Sequence, residues 1–177
     1  MNIKNIFRVQ VLLTLALALV ISSCATKKKK ATATDGNQPN VGSTSNNEAA
    51  DLSSIELMAD SDSGKAGALR TVNFAFNSSS LSSSAKNILQ GNADFLKANP
   101  SVDVQVEGHC DERGGREYNI ALGERRAKTV KSYLSALGVS SSRIKTISYG
   151  KERPIAFGHD ESSWASNRRG NFVVTKK

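Results

Sequence analysis

Residues 108–127, GHCDERGGREYNIALGERRA, hold three side chains whose types and spacing could do chemistry together: Asp111, Asn119 and Arg126. If a helix starts near Glu117, then Asn119, Leu122 and Arg126 fall at i, i+3 and i+7 and share a face near its N-terminal half. Asp111 precedes that helix, and the Asp-Glu-Arg-Gly-Gly turn folds the chain back, so a carboxylate and a guanidinium can flank one shallow cleft. Such a pair suits a zwitterion, the carboxylate taking an ammonium and the guanidinium a carboxylate. Open N–H groups at the helix start would add to anion binding. Structural uses stay open as well: an Asp in a turn is often a cap, a helical Arg often pairs at i,i+4, and Asp111 and Arg126 can pair with each other. Glu112, Arg113, Glu124 and Arg125 read as surface charges.

Other groupings are weaker. His109, Cys110 and Asp111 are adjacent, but neighbours on a strand point to opposite faces and do not easily chelate one ion, so His109 reads as structural and no metal site is expected. His159 sits in a loop without a second histidine nearby. There is no G-x-S-x-G elbow, P-loop or dinucleotide glycine pattern, so no cofactor is expected. An enzyme would need a carboxylate pair or a nucleophile with its base; Asp111 with Arg126 supplies neither, which argues for a binding protein. Arg168 and Arg169 border the site or pair with acids, and Trp164 reads as a packing residue.

The elements that must hold these residues follow from periodicity. Val72, Phe74 and Phe76 alternate, which predicts a half-buried strand. NSSSLSSS then offers turn and N-cap residues, and Ala85, Ile88, Leu89, Asn92, Phe95 and Leu96 recur at helical spacing until Asn99-Pro100. Val102, Val104 and Val106 predict a second strand that delivers Asp111 at its C-terminal end. A second helix over residues 117–137 carries Ala127, Val130, Leu134 and Leu137 on one stripe, with Gly138 as its stop. Strands over residues 144–149 and 172–175 complete the pattern, with a short helix near residues 161–166. The expected fold is an α/β sandwich, β-α-β-α-β-β, its helices packed on one face of a mixed sheet.

The chain has 177 residues and a net charge of +8, which permits nucleic acid, an anionic membrane or an acidic polymer as partner. Residues 70–177 carry 17 Lys and Arg against 10 Asp and Glu, so the excess belongs to the folded region. Residues 1–23 combine Lys4 and Arg8, an apolar run at 11–21 and small residues: a secretory signal peptide, too short to span a bilayer. An exported chain argues against nucleic acid. Residues 24–69 lack aromatic residues and sustained apolar period, and read as a flexible tether with an r.m.s. span of about 40 Å. Lys27 to Lys30 either add attraction to anionic head groups or merely solubilise. Residues 70–177 form the domain. Cys110, the only cysteine besides Cys24, reads as a small buried residue.

Two resemblances extend this reading. Ile21-Ser22-Ser23-Cys24 closely resembles the bacterial lipobox, which implies that Cys24 becomes an acylated N-terminus anchored in a membrane. Ala25 is not the aspartate that retains many such proteins in the inner membrane, which favours the outer one. VEGHCDERGGREYNIALGERRAKTVKSYL, with SYGKERP and NRRG downstream, resembles the peptidoglycan-associated lipoproteins of Gram-negative bacteria, among the OmpA-like peptidoglycan-binding domains. The resemblance implies non-covalent recognition of peptidoglycan at the diaminopimelate of its stem peptide, with Asp111 on the ammonium, Arg126 on the carboxylate, and Asn119, Phe76 and Asn77 lining the pocket. Many relatives carry Asp where this chain has Asn77 and Thr where it has Gly115. The resemblance further implies a periplasm-facing domain and partnership with TolB and other Tol components in envelope integrity and division. The competing expectation is a protein-binding envelope lipoprotein that does not touch the wall.

Overall fold

The computed structural model describes residues 55–177 and, ahead of them, Leu52. The expected signal peptide, Cys24 and most of the expected tether lie outside the described residues. Four strands form one sheet: β1 (Val72–Asn73), β2 (Asp103–His109), β3 (Ile144–Gly150) and β4 (Arg169–Lys176). The helices are α1 (Ser83–Ala98), α2 (Arg116–Ala136) and the short α3 (Glu161–Asn167). Sheet order is β1-β4-β2-β3; β2 runs parallel to β3, while β4 is antiparallel to both β1 and β2. This is the expected mixed sheet in an α/β sandwich, with the last strand starting earlier than the sequence pattern indicated.

Local chemistry explains the helix ends. Ser82 caps α1, its hydroxyl accepting from the Ala85 N–H at 3.1 Å, and Asn99 ends it by donating from Nδ2 to Phe95 O at 2.8 Å. α2 stops where Gly138 adopts φ +96°; Gly138 N–H bonds Ser135 O and Val139 N–H bonds Leu134 O, the paired bonds of a Schellman motif. The stripe Ala127, Val130 and Leu134 is fully buried against Val104, Val106 and Phe172 of the sheet and Leu89 and Leu96 of α1.

One close approach places the site. A Cβ on Gly108 would stand 1.9 Å from the carbonyl oxygen of Gly123, and a Cβ on Gly123 would stand 2.3 Å from Ser148 Oγ. With neither side chain present, the N-terminal half of α2 lies directly on the C-terminal ends of β2 and β3. Asn119, Leu122 and Arg126 are thereby brought against the residues that follow β2.

Packed residues reach back past Arg70, among the described residues as far as Leu52, which lies against the main core. Ile55, Ala66 and Leu69 are buried in the main core. Met58 N–H bonds Val174 O at 2.8 Å, Val174 N–H bonds Ala59 O at 2.9 Å, and Ser61 N–H bonds Phe172 O at 2.9 Å. Residues 58–61 thus satisfy the edge of β4 beyond the reach of the two-residue β1. The expected tether overran this segment because edge pairing uses backbone groups, which leave no periodic trace in the side chains.

Candidate functional site

Beyond His109 the chain leaves the sheet by one more bond, Cys110 N–H to Gly150 O at 2.8 Å, and enters the turn. Asp111 Oδ1 accepts from the Arg113 N–H at 3.1 Å, an Asx turn that fixes the local bend, and Gly114 takes φ +86°. Lys151 Nζ holds the outside of the turn through Glu112 O at 3.0 Å and Gly114 O at 2.8 Å. Asn119, buried on α2, donates from Nδ2 to Arg113 O at 2.8 Å. Gly115, the N-cap of α2, offers no side-chain cap, so the helix start keeps open N–H groups.

Arg126 is fully buried, at 0% exposure. It spans from α2 to two other segments: Nε donates to Ser78 O at 2.8 Å, Nη2 to Ala75 O at 3.0 Å, and Nη1 to His109 O at 2.7 Å and Cys110 Sγ at 3.4 Å. Its guanidinium carbon lies 5.1 Å from the Phe74 ring centroid. Burial pulls its pKa down, but an arginine remains charged there. One Nη2 hydrogen is left over among the described residues.

Asp111, 4% exposed, is crowded with donors. Arg113 Nε reaches Oδ1 at 3.2 Å and Arg113 Nη2 reaches Oδ2 at 2.7 Å; Arg168 Nη1 reaches Oδ2 at 3.3 Å. Burial raises the Asp111 pKa, yet these hydrogen bonds together outweigh it and hold the carboxyl below its ordinary range. Asp111 and Arg126 do not bond each other. Arg168 also donates from Nη2 to Glu161 at 2.6 Å and from Nε to Phe74 O at 3.0 Å, so it both borders the site and pairs with acids. Arg169 instead pairs with Asp62 at 2.6 Å.

A cavity of about 160 Å³ opens between these groups. Its walls include all five side chains expected to meet the ligand: Phe76, Asn77, Asp111, Asn119 and Arg126. Asn77, at φ +52°, turns the segment after β1 into the cavity wall, and Tyr118 donates from its hydroxyl to Asn77 Oδ1. Cys110 and Leu122 form the floor. Burial pushes the Cys110 thiol up, away from a reactive thiolate, and Asp111 is the sole carboxylate lining the cavity among the described residues.

The residue the sequence reading passed over is Arg113. It stacks between two aromatic rings, its guanidinium carbon 4.1 Å from the Phe76 centroid and 4.0 Å from the Trp164 centroid. Trp164 is therefore a stacking partner, fixed by Nε1–H to Glu112 at 2.9 Å. Glu112 also pairs with His159 at 2.7 Å, joining the turn to the loop before α3. The available signal for Arg113 was its position two after Asp111 in a glycine-flanked turn. The rings that hold it come from far along the chain. His109 turns to the other face of the sheet from the cavity, stacked on Tyr149 with centroids 5.6 Å apart and Nε2 3.5 Å from Glu107.

The cavity is an arginine-lined pocket with one lining carboxylate at the end of a mixed sheet, and the fold around it is shared with known proteins. The OmpA family model matches residues 73–168. The peptidoglycan-associated lipoprotein of Pseudomonas aeruginosa is 46% identical over 159 residues, spanning 88% of this chain and 90% of the relative. That of Legionella pneumophila is 51% identical over 100 residues, 56% of this chain and 57% of the relative. The crystal structure of the peptidoglycan-associated lipoprotein from Burkholderia pseudomallei superposes with a TM-score of 0.58 at 46% identity, covering 59% of this chain and 89% of that one. The cell wall anchor of the type VI secretion system from Pseudomonas aeruginosa superposes at TM-score 0.53 and 27% identity, covering 60% and 80%. The chain belongs to the OmpA family and, within it, to the peptidoglycan-associated lipoproteins.

Proposed function

We propose that this protein is a non-enzymatic anchor: acyl chains on Cys24 hold it in the outer membrane, and its periplasmic domain grips peptidoglycan at the free diaminopimelate end of a stem peptide. The convergence of Asp111, Asn119, Arg126, Phe76 and Asn77 on one cavity carries this reading, because that set offers an anion, a cation and an exposed aromatic wall to a zwitterionic chain end. Asp111 takes the ammonium, and the Arg126 side of the cavity draws the carboxylate through a buried positive charge and its remaining Nη2–H. Single grips can be weak, since many copies on one membrane face a polymeric ligand and bind with avidity. TolB and other Tol components are the expected protein partners, in envelope integrity and cell division.

Sedimentation with purified, protein-free sacculi tests the reading. The wild-type protein pellets and releases no wall fragments, while Asp111→Ala weakens binding by roughly 1.5–3 kcal/mol, the contribution of a charge-assisted hydrogen bond. Equal pelleting of both proteins sinks the site assignment. A wild-type protein that stays in the supernatant favours a protein-binding lipoprotein instead.

A further inference from the structure

The site contains an ion pair where the ligand's ammonium is expected to sit. Arg113 offers Asp111 its backbone N–H, Nε and Nη2, so both carboxylate oxygens accept from this one residue. The guanidinium doing this is not anchored by backbone carbonyls as Arg126 is; it lies between the faces of Phe76 and Trp164, at the cavity wall, with its side chain 31% exposed. Stacking between two rings lets a guanidinium slide in its own plane while keeping both cation–π contacts. Its Nη1 makes no hydrogen bond among the described residues. Arg126, by contrast, has committed donors on all three nitrogens and cannot offer a two-pronged grip.

We infer that Arg113 is the specificity-determining residue of the pocket, exchanging its ion pair with Asp111 for one with the ligand's carboxylate. The inference rests on the reading above and deepens it. Within the site Asp111 pairs closely with Arg113, at 2.7 Å, and more loosely with Arg168, at 3.3 Å. A zwitterionic end breaks the Arg113–Asp111 pair and replaces it with two, ammonium to Asp111 and carboxylate to the Arg113 fork, beside the single Nη2–H that Arg126 supplies, so no charge is left unpaired. Arg168 keeps Glu161 throughout. A ligand with an ammonium alone displaces Arg113 and leaves it only the exposed Glu161, 3.8 Å from Nη2; one with a carboxylate alone must leave Asp111 shared. The exchange therefore selects for both charges on one group, which is the difference between diaminopimelate and lysine at the same position of a stem peptide.

The test is titration of the full-length protein in detergent micelles with three N-acetylated stem tripeptides. One ends in meso-diaminopimelate, one in the same residue with its side-chain carboxyl amidated, and one in lysine. Wild type prefers free diaminopimelate over both others by at least about tenfold. In Arg113→Gln that preference falls to about threefold or less, through weaker diaminopimelate binding with lysine binding unchanged or tighter; Arg113→Lys, charged but without the fork, falls between. In the unsubstituted protein the Arg113 Nε–H resonance moves on adding the diaminopimelate peptide, a readout that does not depend on the variants folding. An unchanged preference in Arg113→Gln, or a stationary Nε–H resonance at saturation, overturns the exchange while leaving the pocket's ligand intact. A wild-type protein that binds none of the peptides overturns the proposed function itself.

Discussion

Replacing Arg126 by methionine keeps the length and apolar bulk of the side chain and removes only its charge and donors. Three backbone carbonyls, Ala75, Ser78 and His109, then lose the guanidinium at once, Ala75 O keeping only the Ser78 N–H at 3.3 Å. A hydrogen bond from a charged donor contributes about 1.5–3 kcal/mol, so three at the low end come to about 4.5 kcal/mol. Methionine is spared the desolvation that a fully buried guanidinium suffers, which offsets part of this. A net loss of about 2–4 kcal/mol remains, a large share of the 5–15 kcal/mol typical of a domain. With a urea m-value of about 2 kcal/mol/M, the unfolding midpoint drops by roughly 1–2 M. The assay is urea unfolding of wild type and Arg126→Met followed by circular dichroism, with Arg125→Met as the exposed neighbour that leaves the midpoint unmoved. Arg126 clamps the segment after β1 onto the ends of β2 and α2, so a midpoint shift below about 0.3 M would refute that clamping role. It would leave Arg126 as a ligand contact and little else.

Other consequences are as direct. Gly108→Ala drives a methyl group into Gly123 O, and thermal unfolding should shift downward by about 10 °C or more; an unchanged Tm shows that the helix can move away at no cost. Asn92→Ala removes both bonds that its buried amide makes to the Arg70 backbone, at 2.9 and 2.8 Å, for about 2 kcal/mol by chemical denaturation. Asp111 has its folded-state pKa held low, so its contribution is present above its unfolded pKa of about 3.9 and is lost as pH falls through the folded value. The urea midpoint should accordingly fall between about pH 5 and pH 2, with a shallower slope in Asp111→Asn. Cys24→Ala should move the protein from the membrane to the soluble fraction on cell fractionation, and retention in the membrane refutes the acyl anchor.

The reach of the sequence depended on how far apart the determining groups are along the chain. Asn119, Leu122 and Arg126 could be placed together because one helix sets their spacing, and Gly138 marked the end of that helix by its need for positive φ. Asp111 followed because the turn joining it to the helix is short. Arg113 was passed over for the converse reason: Phe76 and Trp164, which hold it, meet only after the sheet has assembled. Residues 55–69 were assigned to the tether because their attachment to β4 is made by backbone bonds and a few scattered apolar side chains. Gly108 and Gly123 looked like any other glycines, and the contact between them exists only in three dimensions.

The arginines also change what the positive charge means. A net excess in the folded region invites an electrostatic partner, yet several of its cations point inward to oxygen. Arg143 donates to the carbonyls of Leu96 at 2.9 Å and Asn99 at 2.8 Å and to Val102, tying the end of α1 to the start of β2 and β3. Arg169 joins Asp62 and the carbonyls of Asn167 and Arg153, Arg168 joins Asp111 and Glu161, and Arg126 takes its three carbonyls. A guanidinium suits this work because its planar fork can serve several acceptors from one buried point, which an ammonium on a flexible stem does less well. Cations that answer neutral carbonyls add net charge without advertising a polyanionic partner. Around Asp111 the same excess sets two carboxylates, Asp111 and the exposed Glu161, against Arg113, Arg126 and Arg168, so the pocket is short of one anion. A ligand enters it most favourably by bringing a carboxylate of its own, with an ammonium close enough to take the Asp111 oxygens that Arg113 gives up.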